Sequence, residues 1–124
     1  MKTLGEFYRE MVLTQPNLEE RELPNKAENI KIKPDLYRWK LYYSPTKFLV
    51  CRSVAEARFI KVYLEAGLTE IMVHEDDAYL ESILPELERL KKRMDEIIDH
   101  WIDGILDRSA RQQIRHMVYA EITK

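Results

Sequence analysis

The sequence predicts an α+β fold: a small mixed β-sheet made of a hairpin and a right-handed βαβ unit, with an N-terminal helix and a C-terminal helical hairpin. Short runs between residues 29 and 74 are rich in aromatic and β-branched residues and have the period of strands. Apolar residues recur at helical spacing before and after these runs. A chain of 124 residues, 45% hydrophobic and 34% charged, suits one core. We therefore expect a single domain over 1–124, with the sheet and crossover helix at 29–74 and a helical part at 77–122.

The N-terminal helix is predicted from a capping pattern. Thr3 is followed three residues later by Glu6, the spacing of a capping box, and apolar residues then recur at helical spacing. A first helix from about Leu4 to Leu13 follows. Residues 15–28, QPNLEERELPNKAE, contain two prolines and few apolar side chains, so they are predicted to form a surface connection.

The next part of the chain reads as a short strand and a hairpin. Residues 29–33, NIKIK, alternate apolar and basic side chains up to Pro34, which predicts a strand at a sheet edge. Residues 36–43 and 47–52 flank an SPT turn and predict the hairpin. Strand alternation then places two sets of side chains on opposite faces. The set facing the core is Tyr37, Trp39, Leu41 and Tyr43; the outward set is Arg38, Lys40 and Tyr42.

A crossover unit is predicted after the hairpin. Ser53 begins SVAE, a second capping box, and the helix that follows over 54–66 ends at Gly67, which tolerates the left-handed closing conformation. Residues 69–74 form the last predicted strand, with Ile71 and Val73 on one side. Because a helix joins the two strands, we expect 47–52 and 69–74 to pair in parallel.

The C-terminal part has a helical seam of large apolar residues interrupted by Pro85. Proline is tolerated in a first turn, so the pattern predicts a short helix at 77–83, a long one at about 85–106 and a final helix after the cap at 109–112. The apolar stripe is wider than one small sheet face covers, which favours a homodimer as well as packing within the chain. The predicted dimer residues are Leu87, Leu90, Met94, Ile97 and Trp101.

A basic strand face is the first candidate binding site. Residues 26–62 carry nine basic and three acidic side chains, whereas residues 63–124 carry eight and fourteen. Such a face can contact the phosphates of nucleic acid or another acidic partner. The alternative interpretation is that these lysines prevent edge-to-edge aggregation of strands. A single outward tyrosine also offers little aromatic surface on which bases could stack. The candidate residues are Lys31, Lys33, Arg38, Lys40, Tyr42 and Lys47.

A metal site is the second candidate. His74, Glu75 and Asp76 follow the last predicted strand and have side chains suited to binding a metal ion or to acid–base work. Asp76 or Asp77 equally suits the N-cap of the next helix. The sequence has no Gly-rich phosphate loop, no Cys-x-x-Cys and no Gly-x-Ser-x-Gly motif, and we expect no cofactor.

These patterns favour a non-catalytic interaction protein, homodimeric through its C-terminal helices, with the basic strand face as its contact for nucleic acid or another acidic partner. The alternative is a small metal-dependent enzyme that uses His74 and the neighbouring carboxylates. Cys51 is the sole cysteine and is expected to be buried and unreactive, which fits a reducing compartment. With no secretory signal and no long apolar run, a cytoplasmic protein that does not contact membranes is expected.

Overall fold

A computed structural model of the chain describes residues 2–101 together with residues 110 and 113, and it confirms the α+β class. Its elements, in chain order, are α1 (Leu4–Phe7), which continues as a π-helical turn over Tyr8–Val12, β1 (Leu18–Glu22), β2 (Lys31–Asp35), β3 (Arg38–Tyr42), β4 (Phe48–Cys51), α2 (Val54–Glu65), β5 (Glu70–His74) and α3 (Asp77–Trp101). The predicted final helix, and with it the C-terminal hairpin, lies outside the described residues apart from 110 and 113.

The strands form two antiparallel sheets, so the predicted mixed sheet and its parallel pairing are wrong. One sheet has the order β2-β3-β4, and the other pairs β1 with β5. β1 pairs with β5 along one of its edges, from Leu18 opposite His74 to Glu22 opposite Glu70. The segment that contains β1 was predicted to be a connection. Because β5 pairs with β1 and not with β4, helix α2 connects strands of two different sheets, and no βαβ unit forms.

The three-stranded sheet contains both predicted strand runs and the edge strand. β2 is an edge strand, as predicted, although it continues through Pro34, which lies opposite Trp39. The β3–β4 turn is held by Ser44, whose Oγ accepts hydrogen bonds from the backbone N–H groups of Thr46 and Lys47 at 3.3 and 2.9 Å. These contacts fix the register in which Tyr42 lies opposite Phe48.

The helices begin and end largely where the capping patterns indicate. Oγ1 of Thr3 and Oγ of Ser53 each accept a hydrogen bond at 3.1 Å from the backbone N–H three residues later. Gly67 closes α2 with φ of 90°, a conformation that costs glycine little. Helix α3, by contrast, runs unbroken through Pro85, so the predicted division into two helices is wrong.

One hydrophobic core joins the two sheets and the helices. The N-terminal helix is fixed to it by tyrosine hydroxyls. Tyr63 donates to the carbonyl of Leu4 at 3.2 Å, and Tyr8 accepts from the backbone N–H of Met72 at 2.7 Å. Burial raises the pKa of both phenols. The two contacts tie the start of the chain to α2 and β5.

Of the helices that the structure describes, none is both long enough and apolar enough to cross a lipid bilayer.

Candidate nucleic-acid interface

The outward side of β2, β3 and β4 carries the predicted basic residues. Side chains directly opposite each other in antiparallel strands share a face, so the register groups the outward residues into rows. One row is Lys31, Tyr42 and Phe48; the next is Lys33, Lys40 and Val50; Asp35 and Arg38 close the sheet. We call this side, together with Lys47 just before β4, the aromatic–basic face.

Two aromatic rings lie side by side on this face. The centroids of Tyr42 and Phe48 are 5.3 Å apart, with their planes tilted by 51°. The ammonium of Lys33 lies 5.2 Å from the Tyr42 centroid, and that of Lys40 lies 4.5 Å from the Phe48 centroid. Phe48 is 39% exposed although it is a large apolar residue, whereas Tyr42 beside it is half-buried, so Phe48 is the more accessible ring of the pair.

The cations of the face differ in how far they are neutralised. Lys40 is half-buried and lies 3.5 Å from the carboxylate of Asp35, the acidic residue of the face. The other cations are exposed, and within the described part of the chain none of them forms an ion pair with a carboxylate. They are Lys31, Lys33, Arg38 and Lys47. The face therefore keeps a positive charge that a partner can neutralise.

The opposite side of the same sheet is packed on the core. Leu41 is fully buried, and Trp39 is half-buried and packs against the core cluster, so the predicted direction of this strand is confirmed. The prediction for Tyr37 is wrong, because it lies in the β2–β3 turn and is 96% exposed. Because the inner side of the sheet packs on the core, the outward side chains keep a fixed spacing.

The prediction of a single outward ring is also wrong, because Phe48 was missed. Its position follows from the turn: Tyr43 donates its backbone N–H to the carbonyl of Lys47 at 3.1 Å, and the next pair outward along the strands is Tyr42 with Phe48. The period of two along β4 carried the same signal, since Phe48 and Val50 alternate with buried Cys51. That the face binds nucleic acid stays a prediction.

A buried carboxylate joins the two sheets beside this face. Glu56 of α2 is 1% exposed, with Oε1 2.6 Å from Nη1 of Arg21 on β1 and Oε2 3.0 Å from Nη1 of Arg52. Arg21 also donates to the carbonyl of Val50 on β4 at 2.9 Å. Burial raises the pKa of the Glu56 carboxyl, and the charges of Arg52 and Arg21 offset part of that rise. We call Arg21, Arg52 and Glu56 the Glu56 cluster.

The Glu56 cluster was not anticipated from the sequence, where Glu56 appeared only as a capping residue. Oε2 of Glu56 receives no hydrogen bond within the described residues, because the nearby Arg52 contact is an ion pair without hydrogen-bond geometry. Cys51 is fully buried next to the cluster, as predicted. Burial, with a further contribution from the charge of Glu56, raises the pKa of the Cys51 thiol to about 11, so the thiol is protonated at neutral pH.

Two of the three residues of the predicted metal site, His74 and Asp76, make structural hydrogen bonds. Nδ1 of buried His74 accepts the backbone N–H of Asp76 at 2.9 Å, and Oδ1 of Asp76 accepts the N–H of Ala78 at 2.9 Å, which caps α3. Glu75 is exposed. Over residues 2–101, no three histidine, cysteine or acidic side chains lie together as a set of metal ligands. The capping interpretation of Asp76 is therefore confirmed.

Most of the predicted dimer residues lie inside the chain's own core. Leu87 is fully buried, Leu90 and Met94 are 9% and 7% exposed, and Ile97 is partly buried against the same cluster. The side chain of Trp101 lies outside the described part. Dimerisation stays a prediction, and in the described structure these side chains are largely inaccessible to a second copy.

Comparison of the chain with models of protein families, with curated proteins and with solved structures finds no match in any of the three. The assignment of a function therefore depends on the geometry above.

Proposed function

We propose that this is a non-catalytic binding protein that holds single-stranded nucleic acid on the aromatic–basic face. The observation that carries the proposal is the ring pair on the outward side of a sheet that packs on the core. The exposed ring of Phe48 lies beside half-buried Tyr42, and lysines flank both rings. Aromatic side chains on a sheet stack bases in one common class of RNA-binding module. Sequence-tolerant single-strand binders combine such rings with cations that contact the backbone.

The lysines over the two rings do not prevent stacking. A cation–π contact at an exposed site contributes about 0.5–1 kcal/mol, whereas a base stacked on an aromatic side chain contributes about 1–3 kcal/mol. Exchange of the Lys33 and Lys40 contacts for stacked bases is therefore favourable. The freed ammonium groups then lie beside the bound strand, where they contact phosphates.

A single strand suits this surface better than a duplex or an acidic protein. Bases in a duplex are already stacked on each other, and so their faces are closed to Tyr42 and Phe48. The major groove admits a helix or a two-stranded ribbon, and the proposed surface is the broad face of three strands. An acidic protein would pair with the lysines but would leave the adjacent rings without a matching partner.

The two kinds of contact are tested separately by fluorescence anisotropy with a labelled oligothymidylate of about 16 nucleotides over a range of salt concentrations. Phe48→Ala and Tyr42→Ala remove stacking, so each is expected to weaken binding roughly 5- to 150-fold and to leave the salt dependence unchanged. Lys31→Ala with Lys33→Ala removes cations that neutralise phosphates. The slope of log K against log salt should then become shallower by about 0.7 for each phosphate that is no longer neutralised.

Matched controls come from elsewhere on the surface. Leu13 is 45% exposed beyond α1, and Lys92 is an exposed lysine of α3, so Leu13→Ala and Lys92→Ala make comparable changes away from the face. Both should bind the oligonucleotide as the wild type does. No binding by the wild type at low salt, or an equal loss in the two controls, would refute the proposal.

Two further expectations belong with this function. The location that we propose for the protein is the cytoplasm, where buried Cys51 stays reduced. We also keep the homodimer as a proposal, which would double the length of strand that one assembly contacts.

A further inference from the structure

The turn between β2 and β3 exposes two large side chains at its tip. Leu36 and Tyr37 are 95% and 96% exposed, and they are the two most exposed large hydrophobic residues of the described chain. They form the whole two-residue loop between Asp35 and Arg38. We call them the hairpin tip. An isolated exposed apolar residue is ordinary, but two adjacent ones at the end of a hairpin cover no part of the core.

The backbone of the hairpin tip is also unusual. Leu36 has φ of 47°, in the left-handed region that favours glycine, and it is the first loop residue of a tight hairpin. Positive φ at this position alone is the pattern of a type II′ turn, whose usual residue there is glycine. The chain thus carries a large apolar side chain where a smaller residue would fold more easily. A two-residue hairpin needs this backbone conformation but does not need leucine in it, and an unfavourable residue held at such a position is an indication of function.

The hairpin tip lies at the end of the aromatic–basic face. From Tyr42 the chain runs along β3 to Arg38 and reaches Tyr37 in the turn one residue later, a distance of about 16 Å at the rise of a β-strand. Lys40 and Lys33, opposite each other, lie between the two ends, and Arg38 is the neighbour of Tyr37. A nucleic-acid strand that is bound on Tyr42 and Phe48 and follows these cations therefore reaches the hairpin tip.

From this arrangement we infer that Tyr37 is a second stacking point of the single-strand site, and that the hairpin tip sets how many nucleotides the protein contacts. The inference rests on the proposed function. Tyr42 and Phe48 hold bases at one end of the aromatic–basic face, and the cations between these rings and the hairpin tip hold phosphates. The nucleic-acid strand then bends over the end of the sheet, so that a further base lies on Tyr37. Leu36 supplies an apolar contact to the same nucleotide.

Other partners fit the hairpin tip less well. A stable protein interface buries about 800 Å² on each partner, far more than two side chains provide, and the surface around the tip is charged, with Asp35 and Arg38 beside it. A lipid surface would receive the two tip residues, but the lysines that would attract it extend along the sheet toward Tyr42 and Phe48 rather than around the tip. Continuity with the aromatic–basic face therefore favours the nucleic-acid strand.

The test is the length dependence of binding, measured by anisotropy with oligothymidylates of about 4 to 16 nucleotides. Wild-type affinity should rise with length up to the number of nucleotides that reaches the hairpin tip. Tyr37→Ala should weaken binding of the longer oligonucleotides by about tenfold and leave the shortest ones unchanged. Tyr37→Phe keeps the ring and should bind as the wild type does. Because Tyr37 is exposed, none of these changes should alter the melting temperature.

The outcomes separate the two proposals. If Phe48→Ala weakens binding at every length and Tyr37→Ala weakens it at none, the aromatic–basic face stands and the role of the hairpin tip is wrong. If the wild type binds no oligonucleotide, both fail. Vesicles with an anionic lipid serve as the second probe: binding to them that Tyr37→Ala abolishes, without oligonucleotide binding, would assign the tip to a membrane surface.

Discussion

At the scale of single residues, the Glu56 carboxylate is a buried charge that links three parts of the fold. It lies on α2 but contacts Arg21 of β1 and Arg52 just beyond β4, and Arg21 in turn binds the carbonyl of Val50. A buried charge that loses its partner destabilises a protein by about 3–5 kcal/mol. The position of the aromatic–basic face relative to β1 and β5 therefore depends on this cluster.

We expect Arg21→Ala to lower the free energy of unfolding by about 2–3 kcal/mol at pH 7, less than for a fully isolated charge because Arg52 remains. The loss should shrink in acid. Burial already raises the folded-state pKa of Glu56 above its ordinary value of 4.5, and removal of Arg21 raises it further. A group with a raised folded-state pKa contributes its full stability below pH 4.5, and the protein loses that contribution as pH rises through the folded-state pKa. The variant has the higher folded-state pKa and therefore loses more stability by pH 7.

Urea unfolding of both proteins between pH 4.5 and 7 measures this difference. Arg38→Ala is the matched control, because Arg38 is exposed on the face and should cost little at any pH. In a Glu56→Gln background the effect of Arg21→Ala should become small and independent of pH. A destabilisation that is the same at both ends of the range would show that the Glu56 charge is not its cause.

The sequence predicts single residues well where one strand decides their direction. Alternation along β3 placed Arg38, Lys40 and Tyr42 outside correctly. It failed for Tyr37, because alternation ends where the strand ends. Phe48 was missed although the period of two along β4 places it on the face opposite to buried Cys51. The Glu56 cluster was unpredictable for a further reason: Arg21 and Glu56 are 35 residues apart and meet only in the folded chain.

At the scale of elements, α3 shows that tertiary packing can outweigh a local helix breaker. Pro85 lacks the N–H that would bond to the preceding turn, yet α3 continues from Asp77 to Trp101. The neighbours Leu84 and Leu87 are buried at 1% and 0% exposure, while Pro85 itself is exposed. Burial of the apolar stripe on both sides of the proline stabilises the helix by more than the proline costs.

Pro85→Ala should therefore stabilise the protein. Proline in a helix interior costs about 3 kcal/mol relative to alanine, and the greater freedom of the unfolded alanine chain takes back about 0.4–1 kcal/mol. We expect the free energy of unfolding to rise by about 2 kcal/mol, measured by urea denaturation. Glu86→Ala, at the neighbouring exposed position, should change it little. A loss of stability in Pro85→Ala would mean that the proline shapes a bend that the core needs.

Among the strands of residues 2–101, β1 is the one that the sequence missed, and it has the composition of a loop. Its residues LEERE are mostly charged, and their exposure does not alternate. The strand exists because β5, with Ile71 and Val73 buried, offers an open edge, and because β1 can pair with it along all five residues. Pairing of this kind is decided by the partner, and so propensity and period within β1 carry little information about it.

At the scale of the whole molecule, the opposed charges of the two halves of the sequence are partly neutralised within the chain. Arg58 of α2 pairs with Glu88 of α3, and Nη2 of Arg52 lies 3.4 Å from Oδ1 of Asp77. Two basic residues of the first segment thus pair with acidic residues of the second. Within the described part of the chain the lysines of β2 form no such ion pair, and so the aromatic–basic face keeps a positive charge.

The oligomeric state is the last property to test, and burial within one chain changes how it must be tested. A homodimer would give about 30 kDa by light scattering, twice the 14.9 kDa of the chain. Met94 is only 7% exposed in the single chain, so Met94→Asp should destabilise the folded protein by several kcal/mol rather than release folded monomers. Circular dichroism and light scattering on the same sample distinguish these results. A folded monomeric variant beside a dimeric wild type would place Met94 in an interface between two copies.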